Sequence, residues 1–239
     1  MLDINKISSS AVYEGGWRKN RLGKFCASQM GKIMSAKSHE GKFTEGAITH
    51  IENVAGEIIT GKPMRPEFFT DATNHGNAEE PDAINRFCEM TGKVVLRNED
   101  REDTHRLIIN DEYSAATPDA LIAMAEEKFL FDSTGTKIKI APLEVKSPPI
   151  HHRFIKLFRC NTAQDLKKVE PMYFYQCLAQ LVFTDSLVGY FAGYNFDFTT
   201  DMKIIEFKQI ELREEIKNFK LTLEYAKKEL QTILNLFKK

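Results

Sequence analysis

The chain has 239 residues, of which 42% are hydrophobic and 28% charged, with a formal net charge of −1. That is enough chain and the right balance for one globular domain with a well-buried core, here taken to span residues 1–239. No apolar run approaches the roughly 20 residues that cross a bilayer, and residues 1–6 carry no basic region leading into an apolar stretch, so the sequence reads as cytoplasmic.

In chain order, the first notable feature is a basic segment. Residues 17–42 hold seven Lys/Arg against one acid, Glu40, in an otherwise neutral protein. Such a segment is either a local footprint for phosphates or a solvated surface balanced elsewhere. Trp17, the only tryptophan, opens it and reads as a core residue or as one packed near whatever the segment binds. Cys26, Cys88, Cys160 and Cys177 are scattered without a CxxC pair and read as free thiols. Residues 44–60 carry Ile48, Ile51, Val54, Ala55 and Ile58 at helical spacing, stopped by Gly61-Lys62-Pro63. Residues 62–76 look loop-like, and a second helix is predicted over 79–90, ending at Thr91-Gly92. Strand candidates follow at 93–96, 107–110, 119–124, 128–131 and 137–145, with a turn at 132–135. Residues 146–168 form a second basic segment, six Lys/Arg against Asp165, with His151 and His152 added. A helix over 170–184, strands over 187–194 and 202–209, and one long amphipathic helix over 211–237 complete the chain. The pattern predicts an α/β fold, a central mixed β-sheet flanked by helices with a long C-terminal helix.

The chemistry concentrates in Thr117-Pro118-Asp119 and Leu143-Glu144-Val145-Lys146. On a strand, alternate residues share a face, so Glu144 and Lys146 point together while Leu143 and Val145 face a core. Asp119 opens the apolar run Ala120-Leu121-Ile122 and sits at a strand edge. Hard divalent cations take oxygen ligands, and Asp119, Glu144 and the Val145 carbonyl can supply them. Lys146 is then placed to polarise or deprotonate a water and to steady charge on a phosphate. The plain alternative is a hairpin with a surface Glu/Lys pair. A third carboxylate comes from Glu79-Glu80. Glu80 shares a stripe with Ile84 and Phe87, the inward face, whereas Glu79 aligns with Asp82, Ala83 and Arg86. A carboxylate on an apolar face needs a cation or a hydrogen-bond partner, which a metal site would give Glu80.

Taken in order, the run from Trp17 to Ser28, the Gly76–Glu80 segment, Thr117-Pro118-Asp119, Leu143-Glu144-Val145-Lys146-Ser147-Pro148 and Tyr173-Phe174-Tyr175-Gln176 resemble the phage lambda-type exonucleases, the YqaJ viral recombinase family within the PD-(D/E)xK nucleases. The resemblance covers about residues 17–195. It implies a restriction-endonuclease-like core that digests linear double-stranded DNA from 5′ ends, leaving 3′ single strands for annealing. Glu80, Asp119 and Glu144 fall on the family's metal positions, Lys146 on its catalytic lysine and Gln176 on a supporting glutamine, with Gln180 on the same face. Arg21 and Ser28 resemble its 5′-phosphate pocket, and Thr117 stands where the family has a serine whose contact a hydroxyl can keep. The cofactor implied is Mg²⁺, with Mn²⁺ as substitute, two ions per site. The partners implied are double-stranded DNA ends, a single-strand annealing recombinase and further copies of the chain, the ring trimer being the family's form, in a phage or prophage setting inside a bacterial host. The 125–141 hairpin is longer than the family's, and the 211–239 helix has no role to transfer.

Three other readings share parts of this pattern. A site-specific or structure-specific endonuclease would use the same carboxylates and lysine but cut closed circles. A single-strand nuclease with an iron–sulfur cluster would need closely spaced cysteines near the C-terminus. A non-catalytic DNA-binding module would be expected to lack a carboxylate or the lysine.

Overall fold

A computed structural model describes residues 7–9, 20–64, 71–97, 106–123, 140–198 and 202–238. Trp17, the strand at 128–131, the turn at 132–135 and most of the 125–141 hairpin lie outside the described residues.

Where one sheet was expected there are two. Strands β1 (Ile7–Ser9), β2 (Phe25–Cys26), β4 (Arg106–Asp111) and β5 (Ser114–Ala116) form a four-stranded sheet in the order β1-β4-β5-β2. Strands β3 (Val95–Arg97), β6 (Ala120–Ala123), β7 (Ile140–Lys146), β8 (Val188–Gly193) and β9 (Lys203–Lys208) form a mixed five-stranded sheet in the order β3-β6-β7-β8-β9. Thr117, Pro118 and Asp119 are the link by which the chain crosses from β5 in one sheet to β6 in the other. Two-residue β2 and three-residue β5 are too short to show periodicity, which is why the smaller sheet is hard to read from sequence.

In the larger sheet β7 and β8 run parallel, with Leu143 opposite Tyr190 and Lys146 opposite Gly193. Parallel neighbours need a long crossover. Here it is three helices, α3 (His151–Phe158), α4 (Ala163–Val169) and α5 (Pro171–Phe183), preceded in the chain by α1 (Glu45–Thr60) and α2 (Asp71–Thr91) and followed by α6 (Arg213–Leu236). The second basic segment is therefore mostly helical. Helix α4 has a local signal, a capping box in which Thr162 accepts from Asp165 N while the Asp165 side chain accepts from Thr162 N.

Each face of the sheet is covered. On one side Ala83, Ile84 and Phe87 of α2 pack on Ala120, Ile122, Leu143, Val145 and Ala192. On the other, Phe174 and Leu178 of α5 join Phe191, Ile205 and Phe207, and α6 adds Phe219, Leu223, Ala226 and Leu230 to the same core. Leu143 and Val145 are core residues, as their alternation predicts. Helix α6 is also pinned by polar contacts: Thr222 and Ser38 hydroxyls lie 3.1 Å apart, and Lys227 Nζ donates to Asp111 at 2.6 Å.

Helix α2 corrects the sequence reading. It begins at Asp71, within the stretch expected to be loop, and runs through Pro81. Pro81 cannot donate to the carbonyl four residues back, and the first turns are polar, so the stretch carries neither apolar periodicity nor a clean start. Ala83, placed on the polar side by sequence, is fully buried beside Ile84 and Phe87. The apolar face is thus wider than the Ile84/Phe87 stripe.

Candidate active site

Helix α5 returns from the crossover onto the face of β7 that carries Glu144. The result is a carboxylate with no solvent exposure in the middle of a sheet–helix interface. Gln176 Nε2 and Lys146 Nζ both donate to Glu144 Oε1, and Gln180 Nε2 donates to Oε2. Gln176 and Gln180 are one helical turn apart, so both amides reach the same carboxylate. A buried carboxylate without donors would be costly, and three nitrogen donors offset that cost. Gln180, noted in sequence only as sharing a face with Gln176, is thereby a full member of the site. The i, i+4 glutamine pair on an apolar helix was the signal that could have found it.

Asp119 approaches from the link between the sheets. Its Oδ2 accepts from the Val145 backbone N–H at 2.6 Å. The β6–β7 ladder has ended at the Ala120–Leu143 pair, so Asp119 takes over an N–H that the ladder leaves unpaired. The Lys146 carbonyl accepts from Tyr194 N on the β8 side. By strand alternation the Val145 carbonyl faces the other edge, toward Asp119. Burial, and after it the charge of Glu144, pushes the Asp119 carboxyl well above the usual carboxylate range, with Glu80 adding to the effect against Lys146 and the Val145 N–H. Glu80 thus lies within electrostatic reach of Asp119. Both glutamates of the pair are half-buried, so the face argument separates them less cleanly than expected. What separates them is which group each charge acts on: Glu80 acts on Asp119, whereas Glu79 is among the charges acting on Tyr194.

Burial disfavours the Lys146 ammonium, but the Glu144 and Asp119 carboxylates and the hydrogen bond to Glu144 outweigh it and hold Lys146 above its ordinary range. Lys146 Nζ also lies 5.7 Å from the Tyr173 ring centroid, and Tyr173 stacks on Phe191. Beside it the Ser147 hydroxyl is buried and makes no hydrogen bond among the described residues.

The donor set suits a hard cation. Asp119, Glu144 and the Val145 carbonyl are all oxygen donors, and the surplus negative charge around Asp119 is what a divalent ion would neutralise. Among the described residues no three His, Cys, Asp or Glu side chains close into a metal-holding cluster.

Two of the three residues assigned to a phosphate pocket also meet. Arg21 Nη2 donates to Ser28 Oγ at 3.3 Å, and its Nε points at Cys26 Sγ at 3.5 Å. Gly23 sets the turn: its φ is 68° and its N–H donates to Glu57, while a Cβ there would lie 2.4 Å from Ile58. Cys26 pairs with Ala115 in the parallel β2–β5 ladder. Ser28 and Thr117, each two residues further on, therefore leave the same end of that pair. The four cysteines are free thiols.

The family model of the YqaJ-like viral recombinase domain matches residues 16–186. No curated protein matches the sequence. Among solved structures, an alkaline exonuclease from Laribacter hongkongensis aligns with a TM-score of 0.60 at 18% identity, covering 93% of this chain and 97% of that one. Its complex with dAMP aligns equally well at 19% identity, over the same shares of the two chains. A phage related exonuclease from Haemophilus somnus 129PT aligns with a TM-score of 0.60 at 14% identity, covering 90% of this chain and 96% of that one. At these identities the likeness is one of fold. Among the described residues no helix is long and apolar enough to cross a membrane.

Proposed function

The chain belongs to the family of the YqaJ-like viral recombinase domain, and from that premise we propose that it is a Mg²⁺-dependent exonuclease that digests linear double-stranded DNA from 5′ ends. The product is a 3′ single strand suited to recombination by annealing. The observation that carries this reading is the meeting of half-buried Asp119 and Lys146 with fully buried Glu144, two acids and a cation held at one strand edge by Gln176, Gln180 and the Val145 N–H. The exonuclease names of the structural neighbours support the same class.

Asp119, Glu144, the Val145 carbonyl and Glu80 would hold the metal, two Mg²⁺ with Mn²⁺ as substitute. When bound, the metal supplies an activated water near neutral pH and charge neutralisation at the phosphate. Lys146, kept charged by its acidic neighbours, orients the attacking water and steadies the negative charge that develops on the phosphate. Gln176 and Gln180 fix the Glu144 carboxylate. Arg21, Ser28 and Thr117 take the terminal 5′-phosphate, the guanidinium through charge-assisted hydrogen bonds and the hydroxyls as neutral donors. The exposed lysines and arginines hold the duplex by its backbone without reading sequence. An annealing recombinase acting on the 3′ strand, and assembly with further copies of the chain, complete the reading.

The deciding experiment offers the protein three DNAs with and without Mg²⁺: linear duplex with 5′-phosphate, the same duplex with 5′-hydroxyl, and closed circles. Digestion of the linear substrates only, faster with the 5′-phosphate and dependent on Mg²⁺, is expected. Cutting of closed circles would make the enzyme an endonuclease instead.

A further inference from the structure

Helix α3 follows β7 after a four-residue link, 147–150, and packs against the end of β8. A Cβ placed on Gly193, the partner of Lys146, would lie 3.8 Å from Leu157 Cβ. The inward residues of α3, Phe154 and Leu157, are buried, but its outer side is not covered. There a pocket of about 290 Å³ is lined by Phe154, Ile155, Phe158, Arg159 and Phe198. Its walls are a ring array: Phe154 and Phe198 have centroids 4.8 Å apart, Phe154 and Phe158 5.8 Å. Phe158 is 39% exposed and nearby Phe196 64%, so aromatic surface is open to solvent at the end of the sheet that carries Lys146.

The rim is cationic. Lys203 Nζ lies 5.3 Å from the Phe158 ring centroid. Lys156 and Arg159 are exposed, and among the described residues neither has an acidic partner, whereas Arg153 is bound to Glu170. The local acid, Asp197, is engaged by His151 at 2.9 Å. Open aromatic faces bordered by unpaired cations suit a ligand that offers flat rings and negative charge together. Duplex DNA does not, because its base faces are stacked inside the helix and only its phosphates are available. Unpaired DNA does: bases stack on aromatic side chains while the backbone follows the positive charge.

We propose that the α3 pocket binds an unpaired nucleotide of single-stranded DNA, its base against Phe158 and its phosphates at Arg159 and Lys156. Resting on the exonuclease reading, this places a single-strand site at the end of the sheet that carries Lys146, two strands across from it, where an end opened for cleavage, or the strand left by it, can be held.

The test is equilibrium binding in EDTA, where no cleavage occurs, of a labelled oligodeoxythymidylate of about 12 nucleotides and of a blunt duplex of the same length. Wild type, Phe158→Ala, Phe158→Leu and Arg159→Ala are compared, with thermal melts to confirm folding. Phe158→Leu keeps apolar volume and removes the ring face. Both Phe158 variants are expected to weaken the single strand roughly tenfold, the value of one lost base stack, and to change duplex affinity less than about twofold on the same principle. Arg159→Ala should weaken the single strand and lower its salt slope by about one. Unchanged single-strand affinity in Phe158→Leu, or equal losses for single strand and duplex, overturns the proposal. Failure of wild type to bind the oligonucleotide while it still digests linear duplex in Mg²⁺ overturns this site alone. Phe158-dependent binding without Mg²⁺-dependent digestion sinks the exonuclease reading and leaves the site standing.

Discussion

The two groups of polar side chains brought together in this protein are built in opposite ways. Around Glu144 the carboxylate is sealed from solvent, and three nitrogen donors from a strand and a packed helix fix both of its oxygens. Around Arg21 a half-buried guanidinium reaches the exposed Ser28 hydroxyl at 3.3 Å and the Cys26 sulfur at 3.5 Å. The first arrangement is settled before any substrate arrives, and its cost is carried by the core. The second lies nearer the surface, where the Ser28 hydroxyl is open to a ligand. Preorganised charge suits the chemical step, and accessible donors suit recognition of a DNA end.

The contrast breaks most visibly if the centre around Glu144 can be altered without losing chemistry. Asp119→Ala and Lys146→Ala should each reduce Mg²⁺-dependent digestion of linear duplex at least about a thousandfold while the protein stays folded. Near-normal digestion by either variant would remove that residue from the active centre. Next in size is the glutamate pair. Glu80→Gln should slow cleavage far more than Glu79→Gln, because Glu80's charge reaches Asp119. Comparable losses would show that neither glutamate is distinguished.

Stability sharpens the same contrast. Gln180→Leu keeps bulk but takes a donor from a buried carboxylate, and should lower stability by about 1.5–3 kcal/mol in chemical denaturation. Arg21→Ala, at a half-buried position, should fall within about 0.5 kcal/mol of wild type. Asp119 moves the other way. Its folded carboxyl titrates above the unfolded one, so the folded state binds more protons between the two values and wild-type stability falls as pH rises through that window. Asp119→Asn lacks this loss. It should be more stable than wild type at pH 8 without metal, with the gap closing as pH drops toward the ordinary aspartate range. A gap that stays constant with pH would mean that Asp119 is not held under charge repulsion. The smallest effect is the most selective: Arg21→Ala should slow digestion of 5′-phosphorylated ends by roughly ten- to a hundredfold and barely change 5′-hydroxyl ends. Equal slowing of both would make Arg21 a general backbone contact.

Much of this was written in the sequence because it depends on short range. Strand alternation puts Glu144 with Lys146 and turns Leu143 and Val145 to the core, whatever the rest of the chain does. The apolar spacing of α1, α5 and α6 likewise announces helices with one buried side. Five short motifs in order identify the family because order survives where spacing drifts. What local pattern could not decide came from the crossover. Only the parallel pairing of β7 with β8 sends the chain through three helices and lays Gln176 and Gln180 over Glu144. Only the link between two sheets brings Asp119 to the N–H of Val145. The start of α2 at Asp71, the burial of Ala83 and the brief strands β2 and β5 are equally tertiary: polar or very short segments take their conformation from what packs on them, since their own propensities are too weak to choose. The sequence by itself determined which groups could do the chemistry. Tertiary structure decided how deeply they are buried and what holds them, because burial, and the partners it demands, are set by elements far apart in the chain.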